Sequence, residues 1–321
     1  MGQRGACDDH RVIVHWDDLE PVRPPVPAVG GAWLRLGEAA GSRAAGVNRI
    51  LLEPGEISTP AHVHGADEEI FFVLEGSGLS WQDGTTYEVR AGDTIVHRVR
   101  REAHTLRAGE AGLAVLAFGG RTRLGGAYLP QAGIYWLYPS WTDVGQGEHP
   151  FDRDQRLAWP EPEPRSATIV HLDDLAGEYG GIFKSPGREA GAADGGLNWV
   201  ALPPGDEGAP PHCHSAEEEL FVVLDGDGVL ELWARPDPGN PLQREPAETH
   251  PVRAGSVVAR PPGTRIPHSF RAGANGLTYL AYGTREPNDI CWYPRSNKVF
   301  LRGLGVIARL ELLAYDEGEP G

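Results

Sequence analysis

Two stretches decide the fold: Pro60-Ala-His-Val-His64 followed by Glu69-Ile-Phe-Phe-Val-Leu-Glu-Gly76, and Pro210-Pro-His-Cys-His214 followed by Glu219-Leu-Phe-Val-Val-Leu-Asp-Gly226. They are one pattern written twice, at an offset of 150. Upstream, Asn48-Arg-Ile-Leu-Leu-Glu-Pro-Gly55 matches Asn198-Trp-Val-Ala-Leu-Pro-Pro-Gly205, and Val14-His-Trp-Asp-Asp-Leu19 returns as Val170-His-Leu-Asp-Asp-Leu175. Downstream, Val89-Arg-Ala-Gly-Asp93 returns as Val252-Arg-Ala-Gly-Ser256, and Ile134-Tyr-Trp-Leu137 echoes Ile290-Cys-Trp-Tyr293. A unit of about 150 residues is therefore duplicated, which implies two domains. The growth of the offset places an insertion of about 13 residues in the second copy, around Ala234-Arg-Pro-Asp-Pro-Gly-Asn-Pro241, which reads as a Pro/Gly loop. The expected division is an N-terminal unit over 1–146, a Pro-rich linker over 147–166 and a C-terminal unit over 167–321. Trp159-Pro-Glu-Pro-Glu-Pro-Arg165 should make that linker stiff, extended and solvated.

Short apolar runs broken by Gly, Pro and Asp fill each unit, among them Ile70–Leu74, Leu113–Phe118 and Leu220–Leu224. They have the length and composition of strands, and the 43 Gly and 28 Pro spread along the chain supply the turns. Little reads as long helix. An all-β chain with one closed antiparallel barrel or jelly roll per unit follows, since closure removes exposed strand edges.

Composition narrows the function. The 321 residues are 40% hydrophobic and 23% charged, ordinary for a globular protein with sizeable cores. A formal net charge of −16 argues against a nucleic-acid partner, which needs a basic stripe, and against an anionic membrane surface. No apolar run is long enough for a membrane span, and the N-terminal Met1–His10 lacks the apolar centre of a secretory signal. The three cysteines, Cys7, Cys213 and Cys291, make no disulfide framework and suit a reducing compartment. The expectation is a cytoplasmic protein with a small-molecule substrate.

His62 and His64 stand two apart on a strand, so both side chains share one face, here the barrel interior. Val63 between them points outward, as Cys213 does in the second copy, which argues against Cys213 as a ligand. Glu69 follows after a short turn, and His104 comes from a later strand. The second copy supplies His212, His214, Glu219 and His268. Three imidazoles and a carboxylate make an N₃O site for a divalent first-row metal (Mn, Fe, Ni, Cu or Zn), up to two per chain, with no thiolate to favour softer ions. In an octahedral metal two positions remain open for water, substrate or dioxygen. The other histidines, His10, His15, His97, His149, His171 and His250, are read as structural, with His15 and His171 making repeated hydrogen bonds.

The run Gly-x₆-His-x-His-x₄-Glu-x₆-Gly, from Gly55 to Gly76 and from Gly205 to Gly226, resembles the first motif of the cupin superfamily, with one residue more than usual between glycine and histidine. Gly255-x₅-Pro261-Pro-Gly263 with His268 resembles the second motif. The first copy departs from it, running from Gly92 to Arg98-Val-Arg-Arg-Glu-Ala-His104 without the Pro-x-Gly turn. The resemblance covers nearly the whole chain and implies a bicupin of two tandem jelly-roll barrels. Cupins commonly assemble, so a homo-oligomer is a further expectation.

Strand alternation puts Glu102 and Leu106 on the face of His104, which makes Glu102 a candidate general acid or base. Ile266 and Phe270 flank His268 in the same way, so the second pocket should be the more apolar. Phe71, Phe221 and Val223 should form pocket walls. Arg98, Arg100 and Arg101 near one site, and Arg260 and Arg265 near the other, are candidates to clamp a substrate carboxylate or are solvated rim residues. Similar bicupins include dioxygenases, so the resemblance implies first a metal-dependent oxidoreductase acting on a small organic acid, enol or aromatic that chelates the metal. The alternatives are a redox-neutral decarboxylase, lyase, isomerase or hydrolase, or a non-catalytic small-ligand-binding bicupin. The two sites need not share one role.

Overall fold

A computed structural model describes residues 13–121, 125–137, 140–142, 157–236, 242–311, 313, 317 and 318. Cys7, His10, His149, the linker's first half and part of the Pro/Gly insertion lie outside the described residues. The chain forms two all-β jelly-roll barrels, each a larger sheet facing a smaller four-stranded one. In the N-terminal barrel the larger sheet has the order Ile169–His171, Asp93–His97, Glu69–Gln82, His104–Gly120, Ala45–Leu52, Ala32–Leu34. The C-terminal order is Ile13–His15, Ser256–Arg260, Glu219–Leu232, His268–Gly283, Gly196–Leu202, Phe183–Lys184.

Each barrel thus borrows its edge strand from the other half of the sequence. Ile13–His15 pairs with Ser256–Val258, and Ile169–His171 pairs with Asp93–Ile95. The repeated Val-His-x-Asp-Asp-Leu pattern is this exchanged strand. His15 Nε2 donates to the Ala254 carbonyl at 2.8 Å, and His171 Nε2 to that of Ala91 at 3.0 Å. The Nδ1 of each accepts the amide of Asp17 or Asp173, so both histidines are structural, as the repeat suggested. The expected units 1–146 and 167–321 therefore each give a strand to the other's sheet.

Burial on both faces explains why Ile70-Phe-Phe-Val is a continuous apolar run rather than an alternation. Phe71 and Val73 point into the N-terminal barrel, while Ile70 and Phe72 join a core shared with Leu197, Leu220, Val222 and Leu280 of the other half. Two carboxylates lock this interface. Glu218, fully buried, accepts backbone amides from Arg43, Ala44 and Ala45 across the interface; Glu68, 3% exposed, accepts those of Ala193 and Gly195. Charge-assisted bonds of this kind are the stronger class, and here they are reciprocal. Gly76 lies at φ 78° at the bulge in strand Glu69–Gln82, where a Cβ would meet the Gly112 carbonyl oxygen at 2.2 Å, and Gly226 repeats the arrangement.

The described part of the linker, 157–166, is largely exposed and is pinned along the N-terminal barrel. Trp81 Nε1 donates to the Ala158 carbonyl and Thr86 Oγ1 to that of Pro160. Arg165 closes the segment with a two-bonded contact to buried Asp93, at 2.6 and 2.8 Å. One repeat assignment needs correction. The His-x-His strand Val63–His64 pairs with Gly126–Leu129, and Cys213–His214 pairs with Ile290–Tyr293. Ile290–Tyr293 is therefore the counterpart of Gly126–Leu129, and Ile134–Leu137 lies one strand further out. The apparent likeness of the two Ile-x-Trp runs comes from similar strand composition, not from equivalent position.

Candidate metal centres

Both expected donor sets come together. In the N-terminal barrel a backbone bridge joins His62 to His104, and Glu69 projects from the neighbouring strand. One donor atom each from His62, His64, Glu69 and His104 lies within 4.8 Å of the others. His62 Nε2 and His64 Nε2 are 3.2 Å apart, and Glu69 Oε2 is 3.4 Å from His64 Nε2 and 3.0 Å from His104 Nε2. The C-terminal barrel repeats this: Glu219 Oε2 sits 3.5, 3.4 and 3.1 Å from the Nε2 atoms of His212, His214 and His268.

The hydrogen bonds behind these rings prepare them for a cation. His62 Nδ1 donates to the Pro60 carbonyl at 2.9 Å and His212 Nδ1 to the Pro210 carbonyl at 2.7 Å, which leaves each Nε2 with its lone pair toward the centre. His214 Nδ1 lies 2.6 Å from Asp289 Oδ2. The buried His214 Nε2, His268 Nε2 and Glu219 Oε2 have no hydrogen-bond partner among the described residues. Buried polar atoms left so are costly, and a shared divalent cation satisfies them together. The donors fit a divalent first-row metal.

Electrostatics agree. Burial, reinforced by the neighbouring rings of His104 and His64, lowers His62 to about 3; burial likewise lowers His268 to about 3 and His104 to about 4. These rings are neutral, as ligation requires. Burial pushes Glu69 and Glu219 upward, but the surrounding histidines carry both carboxyls well below the ordinary value. His64 and His214 depart from the others: burial disfavours the charge of His64, but Glu69 raises it above the ordinary value. Burial likewise disfavours the charge of His214, yet Glu219 and the Asp289 bond raise it to about 10.

The profile of the cupin domain family matches residues 48–117 and again 198–278, one match per barrel and each spanning the His-x-His and glutamate donors. The chain is a two-domain cupin. Among known proteins, an uncharacterised protein of Methanocaldococcus jannaschii is 43% identical over 53 residues, 16% of this bicupin and 42% of that protein, so the match spans less than half of the relative's length. Among solved structures, the bicupin resembles oxalate decarboxylase from Bacillus subtilis with a TM-score of 0.56 and 15% identity, over 88% of this chain and 77% of that one. The formate complex of oxalate decarboxylase from Lactobacillus farciminis matches with a TM-score of 0.57 and 14% identity, over 88% and 87% of the two chains. At such identities the likeness is one of fold.

The surroundings of the two centres correct several expectations. Glu102 does not share the ligand face of His104. It precedes the strand, so alternation fails there, and its carboxylate lies 3.2 Å from His97 Nδ1. His97, read as structural, stacks flat on His104 with ring centroids 3.8 Å apart and backs the N-terminal ligands. Arg98 and Arg100 donate to the backbone carbonyls of Gly191 and Gly65 rather than reaching the cleft. Arg265 is exposed at φ 60°, and Ile266 packs on the core while its carbonyl accepts from Arg260. Phe71, Phe221, Val223 and Phe270 are core residues; Phe71 and Phe221 touch the rings of His104 and His268 edge-on from behind.

The C-terminal cleft, expected to be the more apolar of the two, is polar. A cavity of about 430 Å³ opens beside His212, His214 and Glu219, lined by Asn198, Glu217, Arg285, Cys291, Tyr293 and Arg302. The N-terminal cleft is about 170 Å³ and carries Asp67 and Arg121 beside His64 and Glu69. Arg302 is paired with Glu217, and its buried Nε has no acceptor among the described residues. Arg285 lies over Gly196, where a Cβ would meet its Nε at 2.3 Å, so glycine makes room for the guanidinium. The two arginines come from the chain just after Gly283 and just after the small-sheet strand Lys298–Leu301, regions outside the ligand motifs. Only their convergence in space marks them.

Proposed function

We propose that this bicupin is a metal-dependent enzyme that binds a small, polar carboxylic acid at its C-terminal centre. The observation that carries the reading is the pair of guanidinium groups, Arg285 and Arg302, in one cleft with the His/Glu donor set. Arginine forks match carboxylates, and a buried guanidinium Nε lacking an acceptor calls for an anionic partner. A divalent metal held by His212, His214, Glu219 and His268 supplies Lewis-acid polarisation of a substrate oxygen. The chain's own groups do the remaining work. Arg285 and Arg302 hold the carboxylate, Asn198 offers an amide to a further oxygen, and Glu217 and Tyr293 are the proton carriers in the cleft.

The polar lining favours a small acid over an aromatic and supports a redox-neutral bond cleavage over oxygenation. In a decarboxylation the carbon–carbon bond breaks, its electron pair stays on the remaining carbon, carbon dioxide leaves and one proton is delivered to that carbon. The oxalate decarboxylases that share the fold make this class the first to assay. Metal-loaded protein should release carbon dioxide from one of a panel of small dicarboxylic and 2-oxo acids under strict anaerobiosis. Dioxygen uptake in step with product would return the reading to an oxygenase. Calorimetry showing no carboxylate binding by metal-loaded protein would overturn both.

No helix among the described residues is long and apolar enough to cross a membrane. The free, buried Cys213 and Cys291 support a cytoplasmic setting. Self-association belongs to the same reading, and sedimentation velocity measures it.

A further inference from the structure

We infer that Cys291 is a fifth ligand of the C-terminal metal centre and that it gives the two centres different metal preferences. The inference rests on the metal-centre reading above. The sulfur of Cys291 and one ring nitrogen each of His212 and His214 lie within 4.8 Å of one another, a group that overlaps the set formed by His212, Glu219 and His268. Strand register puts the thiol there. Cys213–His214 pairs with Trp292–Cys291, so Cys291 stands directly opposite the ligand His214. Cys213, which sits between the two histidines in sequence, turns instead into a cluster with Trp292 and Val299.

Further observations bear on this place. His214 Nε2, His268 Nε2 and Glu219 Oε2 are buried without hydrogen-bond partners among the described residues, and His268 is 2% exposed. Tyr293, two residues along the same strand, lines the same cleft as Cys291. The N-terminal barrel offers no such group at the equivalent position among the described residues, because Ala127 pairs with His64 where Cys291 pairs with His214.

A thiolate takes one of the two positions that three imidazoles and one carboxylate leave open in an octahedral shell. The C-terminal centre then keeps one position for a substrate oxygen and the N-terminal centre keeps two. Sulfur also softens the donor set, which shifts preference from manganese toward zinc, cobalt or copper at the C-terminal centre alone. A coordinated thiol is deprotonated by the metal itself, so binding releases its proton to solvent.

Zinc X-ray absorption on the full chain tests this, with His62→Ala used to empty the N-terminal centre. The expected spectrum has a sulfur shell at about 2.3 Å beside the nitrogen and oxygen shell at about 2.0–2.1 Å. Cys291→Ser should lose that shell and weaken zinc binding by about tenfold or more, whereas Cys213→Ser should keep it. In the cobalt form, a near-ultraviolet sulfur-to-cobalt charge-transfer band should follow the same pattern. Because the sulfur shell is sought first in protein with Cys291 intact, a misfolded Cys291→Ser variant does not remove the test. Zinc bound through nitrogen and oxygen alone would overturn the fifth ligand and leave the metal centre standing. A sulfur shell lost in Cys213→Ser but retained in Cys291→Ser would overturn it too. No zinc bound at this centre would sink both readings.

Discussion

The N-terminal and C-terminal centres share four donors and differ in almost everything around them. Behind the N-terminal ligands lies a closed arrangement: His97 stacks on His104, Glu102 pairs with His97, and the cleft in front is small. Around the C-terminal ligands lies an open one: Asp289 holds His214, Cys291 and Tyr293 face the donors, and two arginines reach a cleft more than twice as large. The strand register makes the substitution plain, since His97 pairs with Glu69 where Arg260 pairs with Glu219. Duplicating a ligand set conserves the barrel interior, while divergence happens in the layer that touches those ligands. On the proposed function, that layer is what would separate a catalytic centre from a scaffolding one.

The largest expected effect breaks the comparison outright. His212→Ala should lose one metal per chain and lower kcat by about 10³ or more, since a metal's several kcal/mol of charge stabilisation disappears. His62→Ala should lose the other metal and leave most of kcat. Metal analysis and turnover on the same samples decide it, and equal losses of activity would mean that the centres work as one.

Next comes the interface that the barrels share. Glu218→Ala should destabilise the chain by about 3 kcal/mol, because three backbone amides lose a buried anionic acceptor. Glu68→Ala removes an acceptor from two amides and should cost less, about 2 kcal/mol. Denaturant unfolding reads both, and a reversed order would show that the reciprocal contacts are not equivalent.

Two smaller effects sharpen the contrast. Asp289→Asn should weaken metal binding at the C-terminal centre by about 10–100-fold and leave the N-terminal centre untouched, since Asp289 holds the Nδ1 of His214. Arg285→Ala should raise KM for the acid by about tenfold, whereas Arg121→Ala in the N-terminal cleft should leave KM unchanged. Direct metal titration and steady-state kinetics measure them.

The subtlest difference is in pH dependence without metal. His62 and His97 are lowered to about 3 and His104 to about 4, chiefly by burial. The unfolded chain therefore binds more protons below the ordinary value near 6.5, and stability falls as pH drops from there toward 3. His64, raised by Glu69 against its burial, has the opposite sign, and so has His214. Raised to about 10 by Glu219 and Asp289 against its burial, His214 contributes stability fully below about 6.5 that is lost as pH rises through 10. Metal-free His97→Leu should lose part of the acid sensitivity, and metal-free Asp289→Asn should lose part of the alkaline one. Thermal unfolding across pH checks both.

What the sequence by itself determined is whatever has a local period. The two-residue spacing of His62/His64 and His212/His214, the apolar strands, the duplication and the fold class all follow from side chains alternating along a strand. Both donor sets could be read that way. Local reasoning failed where alternation stops: Glu102 lies before its strand, and the second Ile-x-Trp run was matched to the wrong neighbour. Only the tertiary structure decided which layer surrounds each set of ligands. Cys291, Asp289, Arg285 and Arg302 lie between 73 and 90 residues from His212 and outside the ligand motifs. They reach the centre because cross-strand register and sheet closure bring distant residues within bonding distance, and neither spacing nor composition encodes those contacts.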